Sequence, residues 1–292
     1  RLARIGSVRQ AKRLANALLR PRPGPNSGGT GRTDVRAGLD SYWYRQALQR
    51  VVAALADDSR VLGTVYAWLR EEQIASGSWN SERDWDASSI WRPSIGDHDQ
   101  NHGRDDIADA LVDGLRDLAI LKMAGGDDIE SVMESLERDR MPIAMRIALF
   151  ALSSQVASRH DALQVATERV LDIELLDHPW FFREYTQMAA ATLPMLTDED
   201  YAHWEALVDA LPRLSDARRQ RMLEHLEEGQ TAEEALAQYA MYRRHELLSA
   251  VGSDALRGRL LELHTALVSD LGEYAHAGFR SWSSFSVGER AP

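Results

Sequence analysis

The sequence predicts an all-α fold, an irregular helical-repeat array of antiparallel helix pairs resembling an α-solenoid. After residue 39, apolar residues recur at spacings of three and four, which is the spacing of one helix face. No segment alternates apolar and polar residues as a half-buried strand would, and β-branched residues are scattered. The segment Thr231-Ala-Glu-Glu234 matches a capping box, one of several helix-start signals in the second half.

Successive apolar stripes define the helices in order. Residues 142–157 are apolar on most sides, so we expect this helix to lie deepest. No fixed period with recurring signature residues is present, and strict repeats are therefore not predicted. The clearest stripes consist of Tyr44, Leu48, Val52 and Leu55; Leu62, Val65, Tyr66 and Leu69; Ile107, Leu111, Leu115 and Leu118; and Leu256, Leu260, Leu263, Leu267 and Leu271.

Composition excludes several classes of protein. The 292 residues are 44% hydrophobic and 27% charged, which is ordinary for a chain that buries a core. The absence of cysteine excludes a disulfide framework, a thiolate metal site and a cysteine nucleophile, and it is compatible with the cytoplasmic location that we expect. No apolar run approaches the roughly 18 residues that a membrane helix needs, so no membrane association is predicted. The chain begins with Arg1, and we expect it to be part of a longer polypeptide.

Charge and composition suggest three regions. Residues 1–20 are predicted to form a basic helix, residues 21–38 a flexible linker rich in glycine and proline, and residues 39–292 the helical-repeat region, with a possible subdivision near 158–178. Residues 1–36 contain nine basic side chains and one acid, a net charge of +8 in a chain whose total is −11. Such an arm can bind nucleic acid or an acidic partner. Nucleic acid is unlikely because the arm has no aromatic residues and the remaining chain is acidic.

The end of the linker superficially resembles a phosphate-binding loop. Its residues are Gly28-Gly-Thr-Gly-Arg-Thr33. Arg32 stands where the motif has lysine, Asn26 stands where it has its first glycine, and no apolar strand precedes it. We therefore expect no nucleotide or other cofactor, and no ATP binding by this chain alone.

The most distinctive stretch is residues 88–101, a polar loop between helical segments. It contains Asp97, His98 and Asp99, and His102 follows. Their spacing matches no standard metal site, so no metal is predicted, although a metal-dependent hydrolase built on these four residues is a minor alternative. We expect Arg92, next to Pro93, to hold Asp97 or Asp99 and thereby organise the loop.

The tryptophans provide candidate partner-binding residues. Trp and Arg dominate the energetic centres of protein interfaces. The alternative is that each Trp pins its own loop onto the helices beneath it. The candidates in polar surroundings are Trp79, Trp85, Trp91 and Trp180, together with Arg92.

No catalytic site is predicted. A Gly-x-Ser-x-Gly nucleophile elbow is absent from the sequence. Most histidines occur singly, without the neighbouring nucleophile that general acid–base catalysis would serve.

Two regions resemble the helical part of very large bacterial STAND-type ATPases, NACHT-like signalling proteins often associated with antiphage defence. The first is Ser89-Ile-Trp-Arg-Pro-Ser-Ile-Gly-Asp-His-Asp-Gln-Asn101, with Asp109-Ala-Leu-Val-Asp-Gly-Leu-Arg-Asp117. The second comprises Leu175-Leu-Asp-His-Pro-Trp-Phe-Phe-Arg-Glu-Tyr185 and Phe279-Arg-Ser-Trp-Ser-Ser-Phe-Ser-Val-Gly-Glu-Arg-Ala-Pro292. The nucleotide-binding residues of those ATPases have no counterpart here.

The resemblance implies a scaffold or sensor segment that recognises a foreign protein and relays binding to an ATPase elsewhere in a longer polypeptide. The alternative from the residues alone is an independent helical-repeat module that binds a protein without any ATPase. Both hypotheses name a protein ligand as the partner, and they differ in what the neighbouring residues encode.

Overall fold

The computed structural model describes residues 8–24, 35–80, 85–86, 88–98, 101, 107–212, 219–220, 224, 226 and 230–274. Over these residues the chain is an all-α helical array, and the predicted fold class is confirmed. Within the described ranges, the strands are limited to two ladders of two residues per strand. The chain divides into two compact units, Arg1–Ala162 and Leu163–Pro292.

Among the described residues, seven α-helices lie within the first unit and an eighth spans the division. The elements are α1 (Val8–Leu19), β1 (Arg22–Pro23), β2 (Val35–Arg36), α2 (Ser41–Leu55), α3 (Val61–Ala75), β3 (Trp79–Asn80), β4 (Trp85–Asp86), α4 (Ser88–Trp91), α5 (Ile107–Ala124), α6 (Ile129–Glu137), α7 (Pro142–Ser153) and α8 (His160–Val170).

The second unit contains further helices whose bounds the structure describes. These are α9 (Ile173–Leu176), α10 (Phe182–Thr192), a 3-10 helix (Leu193–Met195), α11 (Asp198–Asp209), α12 (Ala232–Val251), a second 3-10 helix (Ser253–Ala255) and α13 (Gly258–Leu271).

Helix α5 is the centre of the first unit. Helices α2, α3 and α7 pack against it, and α6 packs against both α5 and α7. The predicted deep helix corresponds to α7, which is buried along most of its length but ends at Ser153. Helix α5 is buried to a similar extent, because small residues such as Ala110 and Gly114 let its neighbours approach. A Cβ atom at Gly114 would lie 2.8 Å from a Leu48 methyl carbon of α2.

The caps follow the local sequence. Asp40 accepts a hydrogen bond from the backbone N–H of Trp43 at the start of α2. The capping box at α12 forms as predicted, since Thr231 and Glu234 satisfy each other's backbone N–H groups. Such bonds satisfy amides that have no partner within the helix.

The ends of the predicted flexible linker are paired strands. Arg22 pairs with Arg36 and Pro23 with Val35 in an antiparallel ladder. The N–H of Gly38 also donates to the carbonyl of Leu18 at 2.9 Å. These are backbone contacts, which the linker's side-chain composition does not reveal.

The core of the second unit includes a buried polar chain. Trp204 of α11 is fully buried, and its Nε1 donates to the Tyr185 hydroxyl at 3.1 Å. That hydroxyl donates to the carbonyl of Val170 at 2.7 Å. The chain ties α11, α10 and the end of α8 together without leaving these polar atoms unpaired.

Candidate functional site: the loop after α4 and its arginine cluster

The loop at residues 92–98 follows the short helix α4 and leads toward α5. Asp86 of β4 orients its start by accepting a hydrogen bond from the backbone N–H of Ser88. This carboxylate therefore lies at the first turn of α4. Burial raises the pKa of this carboxyl, although the donated hydrogen bonds and nearby Arg146 oppose the shift.

Arg92 is the central residue of the loop and is only 3% exposed. Its Nε donates to the carbonyl of Ser94 at 2.9 Å, and its Nη2 donates to the carbonyl of Ile95 at 3.0 Å. The same guanidinium binds two carboxylates of α5, with Nη2 2.7 Å from Asp113 Oδ1 and Nη1 hydrogen-bonded to Asp109 Oδ1. Arg92 thus folds the loop around itself and fastens it to α5.

Two further arginines bind the same carboxylates. Arg45 of α2 pairs with Asp109 at 2.7 Å and also with Asp113. Arg116 of α5 lies 3.3 Å from Asp113 and 3.0 Å from Asp97 of the loop. The arginine cluster, defined as these five residues together with Arg92, therefore joins α2, α5 and the loop.

The carboxylates of the cluster raise the pKa of Arg45 and of Arg116. Burial by itself lowers the pKa of Arg45, but hydrogen bonds and charges from Asp109 and Asp113 outweigh it and raise the pKa above its usual value. For Arg116, burial is likewise outweighed by Asp117, Asp113 and Asp97. These carboxylates act as fixed counter-ions, a structural role rather than that of a catalytic base.

Helix α7 supports the other side of the loop. Arg146 is almost completely buried, and its Nη2 donates to the carbonyl of Pro93 at 3.0 Å. Gly96 lies so close to α7 that a Cβ atom there would be 2.9 Å from Cε2 of Phe150. Asn101 closes the loop, since it accepts from the N–H of Ser94 at 3.2 Å and donates to the carbonyl of Gly96 at 2.7 Å.

One part of the predicted loop chemistry is wrong. The carboxylates that Arg92 binds are Asp109 and Asp113, whereas Asp97 pairs with Arg116 and is 95% exposed. The reason is geometric, because the Arg92 guanidinium points toward the first turns of α5. Asp99, the other expected partner, lies outside the described residues.

The tryptophan candidates lie in different environments. Trp79 is buried, with the Arg70 guanidinium 5.8 Å from its ring, and so belongs to the core. Trp91 is half-buried at the end of α4, and its buried Nε1 has no hydrogen-bond partner among the described residues. Trp180 is half-buried beside His178 in the second unit. Trp85 pairs through its backbone with Asn80, and its side chain lies outside the description.

The histidine–aspartate group forms no metal site among the residues that the structure describes. His98 is half-buried, and Asp97 is held by Arg116. Asp99 and His102, the other members of the alternative hydrolase site, lie outside the described ranges.

Sequence reasoning missed three exposed apolar side chains that lie within three residues of Arg45 or Arg92 along the chain. Tyr42 and Trp43 are 64% and 58% exposed, and their rings form an edge-on pair with centroids 5.2 Å apart. Ile90 is 79% exposed. We call these residues the exposed trio. A local signal existed only for the aromatic pair, because neighbouring residues point to different sides of a helix and a run of aromatic residues therefore favours exposure of some of them.

Sequence reasoning also missed the shared carboxylates. Asp109, Asp113 and Arg116 follow one another at spacings of four and three, so they lie on one helix face. That pattern could have indicated a charged cluster on α5. No local pattern connects it with Arg45, which lies on another helix.

Comparison with known proteins gives no further assignment: no family model, curated protein or solved structure matches the chain. Among the described helices, none has the length and apolar character needed to cross a membrane.

Proposed function

We propose that this chain is a non-catalytic helical scaffold or sensor segment of a larger bacterial STAND-type ATPase, and that it recognises a protein ligand of phage origin in antiviral defence. The observation that carries the ligand-binding part is the exposure of the trio, whose residues lie close in sequence to Arg45 and Arg92. The link to the ATPase rests on the resemblance of the loop and α5 sequences to that family.

The arginine cluster explains how such a surface would be held in place. Trp43 lies two residues before Arg45, and Ile90 lies two residues before Arg92. Both arginines bind the carboxylates of Asp109 and Asp113, so the two segments that carry the trio are held at the same end of α5. A surface whose backbone is already fixed loses less conformational entropy on binding.

The chemistry of the trio suits a protein ligand. Exposed aromatic side chains bury a large apolar area with few rotatable bonds, and Trp and Tyr are enriched at the energetic centres of interfaces. In the arginine cluster the charged groups are already engaged with one another, which favours a supporting role over a catalytic one.

The experiment uses the complete gene that encodes this chain. Its open reading frame is expected to encode a lysine-bearing phosphate-binding loop outside these residues. Cells carrying the intact gene are challenged with phage, and single phage proteins are co-expressed to find the one that activates the ATPase. Trp43→Ala and Ile90→Ser are expected to abolish activation by that protein.

Tyr242→Ala serves as the matched control, because Tyr242 is an exposed aromatic residue in the second unit. It is expected to leave activation unchanged, and thermal melts verify that all variants fold. A reading frame without a phosphate-binding loop would reject the ATPase assignment and favour an independent binding module. Full activation of both trio variants would reject the proposed ligand surface.

A further inference from the structure

Two clefts in the first unit flank a single ion pair. Arg20, just after α1, forms a bidentate pair with Glu71 of α3, with N–O distances of 2.9 and 2.7 Å. On one side, a cleft of about 690 Å³ lies between α1, β1 and the end of α3. On the other, a cleft of about 500 Å³ extends along α3 toward α6. We call the two together the arginine cleft.

The described lining residues of the arginine cleft carry more positive than negative charge. Glu71 is the one carboxylate among its described lining residues, and Arg20 already neutralises it. The arginines that line it are all exposed: Arg13, Arg20, Arg22, Arg60 and Arg138. A net positive cleft in a chain of net charge −11 creates a local attraction for anions.

Several of these charges are available to a ligand. Arg13, Arg22 and Arg60 form no ion pair with any residue in the described part of the chain. Arg138 is partly engaged, because its guanidinium lies 4.1 Å from the Tyr66 ring centroid and 3.9 Å from an Asp139 oxygen. Binding an anion to the first three would therefore break no existing ion pair.

Hydrogen bonds between its elements hold the walls of the cleft in place. The Nε1 of buried Trp68 donates to Asn16 Oδ1 at 3.3 Å, which links α1 with α3. The bond from Gly38 to Leu18 holds the segment after β2 against the end of α1, where a Cβ atom at Gly38 would lie 3.1 Å from the Leu18 Cα. Exposed Ile74 and Pro23 add an apolar wall.

We infer that the arginine cleft binds an extended acidic segment of a partner protein, with carboxylates on Arg13, Arg22 and Arg60 and an aliphatic side chain against Ile74. The planar guanidinium matches the two oxygens of a carboxylate, which favours Asp and Glu as ligands. The apolar wall favours a peptide segment over a simple anion, because only the segment also offers an aliphatic side chain. Nucleic acid is less favoured because Trp68, the aromatic residue among the described lining residues, is buried and offers no stacking face.

This inference is independent of the proposed ATPase link and of the exposed trio. The test measures fluorescence anisotropy of a labelled peptide of alternating Glu and Leu, titrated with the intact chain. A peptide of alternating Lys and Leu, a single-stranded oligonucleotide and inorganic polyphosphate are measured in parallel. Binding of the acidic peptide is expected to weaken several-fold when ionic strength rises from about 0.05 to 0.3 M, because exposed charges are screened.

Charge reversal locates the site. Arg22→Glu and Arg13→Glu are each expected to weaken binding of the acidic peptide by about tenfold or more. Arg50→Glu is the matched control, because Arg50 is also exposed in the first unit but does not line the cleft. It is expected to change the affinity by less than about twofold, and circular dichroism verifies the folding of each variant.

Three results would overturn the inference. The first is no binding of the acidic peptide at about 0.1 mM protein, where even weak specific complexes are populated. The second is an equal loss of affinity in Arg50→Glu, which indicates attraction to total charge rather than to this cleft. The third is tighter binding of the oligonucleotide or polyphosphate that is lost in the same two variants, which would assign the cleft to phosphate ligands.

Discussion

Arg45 and Arg92 bind the same two carboxylates, those of Asp109 and Asp113, although the two arginines lie on different elements. Each aspartate uses one oxygen for each arginine. The loop after α4 and the first turns of α2 are therefore coupled through α5. Replacement of either arginine is therefore expected to affect both the loop and the first turns of α2.

Replacement of Arg92 should be among the most destabilising changes in the chain. Arg92→Ala leaves two largely buried carboxylates with one fewer counter-ion and removes one hydrogen bond from each of the carbonyls of Ser94 and Ile95. We expect a loss of about 3–5 kcal/mol in the free energy of unfolding, measured by urea denaturation. Arg50→Ala, at an exposed position, should stay within about 0.5 kcal/mol. A loss below about 1 kcal/mol for Arg92→Ala would mean that the cluster does not hold the loop.

Replacement of Trp91 tests whether this side chain stabilises the loop by packing against the rest of the chain. The sequence leaves two roles open for this residue, partner binding or pinning its own loop, and in the structure it is half-buried at the end of α4. Trp91→Ala should lower the free energy of unfolding by about 2 kcal/mol, roughly half the cost of removing a fully buried large aromatic. Trp91→Phe should retain most of the stability. An unchanged melting temperature for Trp91→Ala would instead assign the residue to the recognition surface.

Gly96 and Phe150 should be energetically coupled. Gly96→Ala places a methyl group against the Phe150 ring and should cost about 1–3 kcal/mol. Phe150→Leu is expected to relieve part of that cost, so a double-mutant cycle should show a favourable interaction between the two changes. Gly63→Ala is the opposite control, because space is open there and alanine favours the helix by about 0.5–1 kcal/mol. Additive effects at 96 and 150 would contradict the close contact.

Asp86 should make stability depend on pH in an unusual direction for a carboxylate. Since its pKa is raised in the folded state, the folded chain holds this proton at pH values where the unfolded chain has lost it. Its contribution to stability therefore falls as pH rises through the interval between the unfolded and folded pKa values. Asp86→Asn removes this dependence.

The measurement compares wild type and Asp86→Asn by urea denaturation at several pH values between about 4 and 7, near and above the ordinary carboxyl pKa. The stability of the wild type relative to the variant is expected to increase as pH falls. A relative stability that decreases with falling pH would show that hydrogen bonding, rather than burial, dominates at this carboxyl.

The helices and their caps were predictable from the sequence because their causes are local. Apolar spacing identifies a helix face within a few turns, and Thr231 and Glu234 satisfy each other three residues apart. The all-α class followed from the same periodicity. The two strands at the ends of the predicted linker form because the backbone of Arg22 pairs with that of Arg36, and the side chains of these residues give no signal for this pairing.

The candidate site was only partly predictable. The sequence by itself identified the loop and the importance of Arg92, because an arginine among polar residues and a proline stands out in an otherwise regular helical chain. Only the tertiary structure decided that Arg92 binds Asp109 and Asp113, that Trp79 is buried, and that Tyr42 and Trp43 remain exposed. These outcomes depend on which helix faces meet α5, and helix packing brings together residues whose separation along the chain carries no periodic signal.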